Sequence, residues 1–115
     1  MPLKKISPQA LHQKMNNGEK VFILDVRAEE KYNDYHIEGH HIESQNIHKS
    51  EIFSLEEDIE KTLDSIARNT EIIVTCTTGN SATKCANILS KHEYDVTVLE
   101  GGITAWNEFL QTKED

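Results

Sequence analysis

Glu71-Ile72-Ile73-Val74-Thr75-Cys76-Thr77-Thr78-Gly79-Asn80-Ser81-Ala82 changes character halfway along its length. The β-branched run from Ile72 to Thr75 suits a strand buried on both faces, and the small residues after Cys76 suit a loop. Beyond that loop Ala82, Cys85, Ala86 and Leu89 recur at helical spacing and predict a helix over residues 81–92. Cys76 therefore falls at the carboxyl end of a strand and the amino end of a helix. Parallel α/β folds collect ligands at such a point, because helix N-terminal amides point outward there.

Downstream, residues 96–99 read as another strand, Gly101-Gly102 as a turn, and Ile103, Trp106 and Leu110 as one face of a last helix. Upstream, Leu55, Ile59, Leu63 and Ile66 form the apolar stripe of an amphipathic helix that begins near Ser54. Residues 21–26 are a nearly unbroken apolar run interrupted by Asp25, which predicts a second buried strand with Arg27 at its carboxyl end. Ser7-Pro8 supplies an N-cap and a first helical residue, Ile6 can staple onto Leu11, and that helix should end near Asn17-Gly18. Residues 28–35 read as a short helix, and residues 36–49, polar and rich in His, as loop with one brief strand at Asn46-Ile47. Lys113-Glu114-Asp115 reads as a frayed tail. Strands alternating with helices predict one α/β domain over residues 1–115, with a parallel sheet covered on both faces.

Composition narrows the function. The net charge of −8 and the presence of just two arginines, Arg27 and Arg68, argue against a nucleic-acid surface, which needs clustered cations. The amino terminus leads into no apolar run of signal-peptide length, and no later segment is long and apolar enough to span a membrane. The expectation is a soluble cytoplasmic protein whose two cysteines, Cys76 and Cys85, are reduced at rest. A chain of 115 residues buries enough surface to fold without a disulfide or metal staple.

An ordinary free cysteine, with a pKa near 8.5, is only about 3% thiolate at neutral pH. A helix amino terminus favours an anion by up to ~2 kcal/mol in a partly buried geometry. If the amides of Thr77, Thr78, Gly79, Asn80, Ser81 and Ala82 curl round the sulfur as a nest, their hydrogen bonds act in the same direction. Gly79 is the residue that permits the curl. The hydroxyls of Thr77, Thr78 and Ser81 can add contacts to a bound anion, and Asn80 can set the turn. Such a cradle suits a nucleophile whose leaving group is already good and whose product is an anion. Attack on a sulfane sulfur, which leaves a persulfide, meets both conditions. Acyl transfer would need a His base beside the thiol, and the sequence assigns none.

Val74-Thr75-Cys76-Thr77-Thr78-Gly79-Asn80-Ser81-Ala82, Tyr94-Asp95-Val96 and Leu99-Glu100-Gly101-Gly102-Ile103-Thr104-Ala105-Trp106 resemble a single-domain rhodanese, a thiosulfate sulfurtransferase-like domain. Leu24-Asp25-Val26-Arg27, with Glu30 and Tyr32, resembles that family's amino-terminal signature, and the likeness runs over residues 6–110. The resemblance implies a five-stranded parallel sheet with helices on both faces and sulfur transfer through a Cys76 persulfide. It implies a small donor, thiosulfate or a low-molecular-weight persulfide, and a thiol acceptor that includes the case of a partner protein. No cofactor or metal is implied. Many family members carry Arg at the sixth loop position, where this chain has Ser81. The chain looks more like the subset with Ser there, and a neutral cradle favours less charged donors over dianionic thiosulfate. The segment at 36–47 departs from the family's Gly-His-Ile…Asn-Ile pattern, and no residue is carried over from it.

Other readings compete at each residue. Arg27 either lines the pocket or anchors the strand end by pairing with Glu30. Cys85 reads as a core residue of its helix, and the alternative, a resolving thiol, requires a Cys76–Cys85 disulfide on mild oxidation. His36 and His40 are four apart, but Glu38 lies at neither position that metal-binding helices of this spacing need. Trp106 reads as core. A cysteine phosphatase or arsenate reductase would need an Arg clamp that the loop lacks. A non-catalytic binding module, or a relay fed by a protein partner, is the alternative outside enzymes.

Overall fold

A computed structural model describes residues 3–39, 41–53 and 71–112. The amphipathic stripe from Leu55 to Ile66, His40 and the tail at 113–115 lie outside them. Within them β1 (Lys4–Ile6), α1 (Pro8–Asn16), β2 (Val21–Asp25), α2 (Glu29–Asp34), β3 (Ile42–Asn46), α3 (Lys49–Phe53), β4 (Ile72–Thr75), α4 (Asn80–Lys91), β5 (Val96–Leu99) and α5 (Gly102–Thr112) follow in order. The strands form one five-stranded parallel sheet in the order β1-β5-β4-β2-β3. No helix of the described residues is long and apolar enough to cross a membrane.

Side chains alternate across a strand, so each central strand feeds both faces of the sheet. Phe22 and Leu24, Ile72 and Val74, and Val96 and Val98 point to one side, where they pack with Ile52 of α3 and with Ala82, Cys85, Ala86 and Leu89 of α4. Val21, Ile23, Ile73 and Leu99 point to the other, against Leu11 of α1 and Ile103 and Trp106 of α5. The small residues of α4 let that helix sit close over β4. Helix α1 begins as its sequence predicts: Ser7 Oγ accepts from Ala10 N at 3.1 Å, Pro8 opens the first turn, and Asn17 closes the last.

The edges of the sheet differ from expectation. Residues 36–49 contain a five-residue strand, β3, in full register with β2 from Val21↔Ile42 to Asp25↔Asn46, where the sequence suggested only a brief strand at Asn46-Ile47. Helix α3 follows at once, anchored by fully buried Ile52. The other edge, β1, pairs with β5 and was not legible either.

Asp25, the polar interruption in β2, is 1% exposed and is neutralised on the spot. Arg27 grips it with Nε at 3.0 Å from both carboxylate oxygens and Nη2 at 2.7 Å from Oδ2, and the Arg27 backbone N–H donates to Oδ1 at 3.0 Å. Arg27 Nη2 also donates to the Tyr35 carbonyl at 2.6 Å. The pairing partner is therefore Asp25 rather than Glu30, because a carboxylate two residues back along a buried strand end is already desolvated and needs the charge. Asn46 at the end of β3 closes the group, its Nδ2 donating to the Asp25 and Arg27 carbonyls at 3.0 and 2.9 Å. Removing one member of a buried pair strands the other charge, so Asp25→Ala should cost about 3–5 kcal/mol in urea unfolding. A loss below about 1 kcal/mol would show the pair to be exposed in solution.

Candidate active site

Cys76 is the first residue beyond β4 and is 5% exposed. Its Sγ accepts hydrogen bonds from the backbone N–H of Gly79 at 3.0 Å and of Ala82 at 3.3 Å. The curl that brings both amides inward is made at Gly79, with φ +102° and ψ −16°, a conformation that L side chains rarely adopt. Gly79 is also the N-cap of α4 and has no side chain with which to cap it. The sulfur takes over that task. Ala82 is the third residue of the helix, the position whose N–H a Ser or Asp N-cap would ordinarily receive. Both N–H groups point at the one sulfur, so the loop presents two donors to any negative charge that stands there.

The loop is held from behind by a second helix. Ile103 N donates to the Cys76 carbonyl at 2.8 Å and Thr104 N to the Thr77 carbonyl at 3.0 Å, so the open amides of α5 are spent on the loop. This approach requires Gly102, at φ +62°: a Cβ there would lie 2.4 Å from Cys76 O and 2.7 Å from Thr77 O. One helix thus fixes the sulfur and another fixes the carbonyls that precede the curl.

Cys76, Thr77, Thr78 and Ser81 line a cavity of about 310 Å³. Thr77 and Thr78 are exposed at its rim. Asn80 does not line this cavity; it is exposed, forms the first turn of α4, and borders a separate recess of about 200 Å³ on another side of the loop. Gly79, not Asn80, makes the turn.

The opposite wall corrects the expectation of a neutral cradle. The loop itself is uncharged, but Arg27, Lys31, His48 and Lys49 reach the cavity from the segments that follow β2 and β3. Lys49 Nζ donates to Ser81 Oγ at 3.3 Å, which puts an ammonium beside the loop position that carries no charge of its own. His48 Nδ1 receives the Ser50 N–H at 3.2 Å, so the neutral ring carries its proton on Nε2. Arg27 lines the cavity, with its guanidinium already held by Asp25 and Tyr35. Lys31, His48 and Lys49 were not found in the sequence. The signal that could have found them is positional, since ligands gather beyond the carboxyl ends of parallel strands.

Cys85 lies in the core with Ala82, Ala86 and Leu89 and is fully buried. Burial, and after it the charge of the neighbouring Cys76, push its thiol up to about 12. Trp106 is core, 2% exposed, and donates from Nε1 to Tyr35 Oη at 3.0 Å.

Because the raised value keeps Cys85 neutral, iodoacetamide at about pH 8 should label Cys76 and leave Cys85 untouched until the protein unfolds. The stability that comes from holding Cys85 uncharged is complete below the ordinary thiol range and should be lost as pH rises toward about 12. Gly102→Ala should cost roughly 1–3 kcal/mol from its backbone conformation alone. It should also slow Cys76 labelling by displacing the loop; a labelling rate equal to the parent's would show that α5 does not position the thiol.

A family model described as "Rhodanese-like domain" matches residues 7–109. "Putative sulfurtransferase YtwF" of Bacillus subtilis is 24% identical over 106 residues, 92% of each chain. A rhodanese-like domain protein of Staphylococcus aureus superposes with a TM-score of 0.74 at 25% identity, over 90% of this chain and 91% of that one. A rhodanese-related protein of Thermoplasma volcanium superposes with a TM-score of 0.73 at 24% identity, over 92% of each chain. The sheet order, the strand-end cysteine and a match over nearly the whole sequence agree, and this chain belongs to the rhodanese-like domain family.

Proposed function

We propose that the protein is a sulfurtransferase in which Cys76 is the catalytic nucleophile and carries the sulfur as a persulfide. The observation that carries this reading is the pair of amides on Sγ, donors aimed at the atom that would take up the sulfur and hand it on. The thiolate attacks the sulfane sulfur of the donor, a new S–S bond forms, and the donor's own bond to that sulfur breaks. The bonding pair leaves with the remainder, as sulfite from thiosulfate or as a thiolate from a low-molecular-weight persulfide. Charge balances without proton transfer, so the step asks for no general base. An acceptor thiolate then attacks the outer sulfur and Cys76 departs as thiolate, again held by the two amides.

Thr77, Thr78 and Ser81 border the space in which the outer sulfur would stand, and their hydroxyls are suited to donate to it. Arg27 serves the site by holding the end of β2 beneath it. Gly79 and Ala82 contribute amides, and Asn80 contributes no side-chain contact to the sulfur.

The test is intact mass after exposure to thiosulfate and, separately, to glutathione persulfide. A gain of one sulfur atom is expected in the parent protein and none in Cys76→Ser. No gain from either small donor, with a gain from a persulfidated protein, would replace this reading with that of a protein-fed relay. Thr78→Val and Ser81→Ala together should slow the gain about tenfold if the hydroxyls hold the anion; an unchanged rate would leave the backbone as the whole cradle.

A further inference from the structure

We infer that Lys49 is the donor-binding cation of this pocket, and that its ammonium selects sulfane donors whose oxyanion is joined directly to the sulfur being transferred. The inference rests on the sulfurtransferase reading of Cys76 and goes beyond it by naming the residue that sets donor preference.

A thiolate that attacks an anionic donor meets like charge, and two neutral amides cannot offset both. A cation has to stand near the donor, yet residues 76–82 include none. The structure brings cations from elsewhere: Lys31 and Lys49 both line the cavity, and of the two it is Lys49 that contacts the loop, through Ser81. Lys49 opens α3 immediately beyond the end of β3, and its backbone is fixed there, with Lys49 N donating to the Val26 carbonyl at 3.0 Å and Ile47 N to the Asp25 carbonyl at 3.1 Å. Buried Ile47 and Ile52 flank it and hold the segment against the core. Its Nζ meets Ser81 Oγ at 3.3 Å, on the first turn of the helix whose amides hold the sulfur.

The state of that ammonium distinguishes it from the guanidinium beside it. Arg27 shares the cavity but is committed to the Asp25 carboxylate and the Tyr35 carbonyl. Among the described residues Lys49 forms no ion pair, and the Ser81 hydroxyl is a neutral contact that an oxyanion would outcompete. Its charge is also felt in the core behind Cys76, where it opposes the upward shift of the Cys85 thiol. Ser81 then has a physical role: it parks the lysine at the pocket without neutralising it. A flexible lysine from a neighbouring helix presents a point charge to the donor, not a planar fork.

During the transfer Lys49 gives up no proton and forms no bond. It faces the oxyanion while the thiolate attacks the adjoining sulfur, and the same charge remains on the group that leaves.

The experiment reads the charge at the sulfur with and without sulfur transfer. Cys76 is alkylated with iodoacetate and with iodoacetamide, which differ by one negative charge, and the rates are compared in the parent, Lys49→Met, Lys49→Arg and Lys20→Met. Lys49→Met should lower the iodoacetate-to-iodoacetamide ratio about tenfold. Lys49→Arg should stay within about twofold of the parent, and Lys20→Met, an equal change in net charge on an exposed pair with Glu43, should match it. Raised salt should compress the difference. In parallel, the rate constant for Cys76 persulfidation by thiosulfate should fall about tenfold in Lys49→Met, and by less for glutathione persulfide, whose carboxylates are remote from the reacting sulfur.

An alkylation ratio unchanged in Lys49→Met overturns the inference even if sulfur transfer proceeds, as does failure of both reagents to reach Cys76. An equal or larger loss with glutathione persulfide overturns the assigned donor class. A ratio that falls as expected in a protein that takes sulfur from no donor would uphold the cation and refute the sulfurtransferase reading, so the two failures are distinguishable.

Discussion

One sulfur atom completes the hydrogen bonding of a helix that cannot cap itself. Helix α4 starts at a glycine whose backbone no L side chain adopts readily, so it has no Ser, Thr or Asp to receive its inward amides. Cys76 Sγ accepts them instead, three and six residues upstream of the donors. The same bonds that cap the helix orient the thiol. Helix capping and thiol orientation are a single arrangement here.

The rest of the fold serves to hold that arrangement still. Central strands buried on both faces give β4 a fixed end, and small residues in α4 let the helix approach it closely. The first turn of α5 receives the loop carbonyls, which demands a glycine at the contact. On the far side the Asp25–Arg27 pair and Asn46 tie the ends of β2 and β3, and the chain emerging from them supplies the basic wall of the pocket. A buried ion pair of this kind is a weak source of net stability, and its value here is positional. It spends the Arg27 cation on architecture.

How much of this was legible follows from where each strand lies. Strands β2, β4 and β5 sit inside the sheet and are buried throughout, so they read as continuous apolar runs. The edge strands are β1, Lys-Lys-Ile, and β3, Ile-Glu-Ser-Gln-Asn, and neither carries an apolar period. Polar and charged residues at an edge discourage pairing with another chain, and the same choice erases the strand from the sequence. Reading this segment as loop with one brief strand at Asn46-Ile47 hid most of β3 and all of α3, and with them His48 and Lys49. The placement of Cys76, Gly79 and the loop was readable because strand end, turn residue and helix start follow closely along the chain. The cation was not, since it is brought in by the topology from a part of the chain whose structure the sequence concealed. Arg27 was assigned to the right place but to the wrong partner, because a carboxylate two residues away in a buried strand outranks one on a solvated helix.

The contact between α5 and the loop makes the last helix part of the thiol site without its lining the cavity. Trp106 fastens that helix to Tyr35, whose carbonyl in turn receives Arg27, so the helix is tied into the frame on two sides of the pocket. A nested deletion series or a carboxyl-terminal fusion that unwinds α5 would release the carbonyls of Cys76 and Thr77 to solvent and unseat the thiol while leaving every pocket-lining residue in the chain. Anyone transplanting the loop from Cys76 to Ala82 into another scaffold would have to carry Gly102 and its following turn along with it.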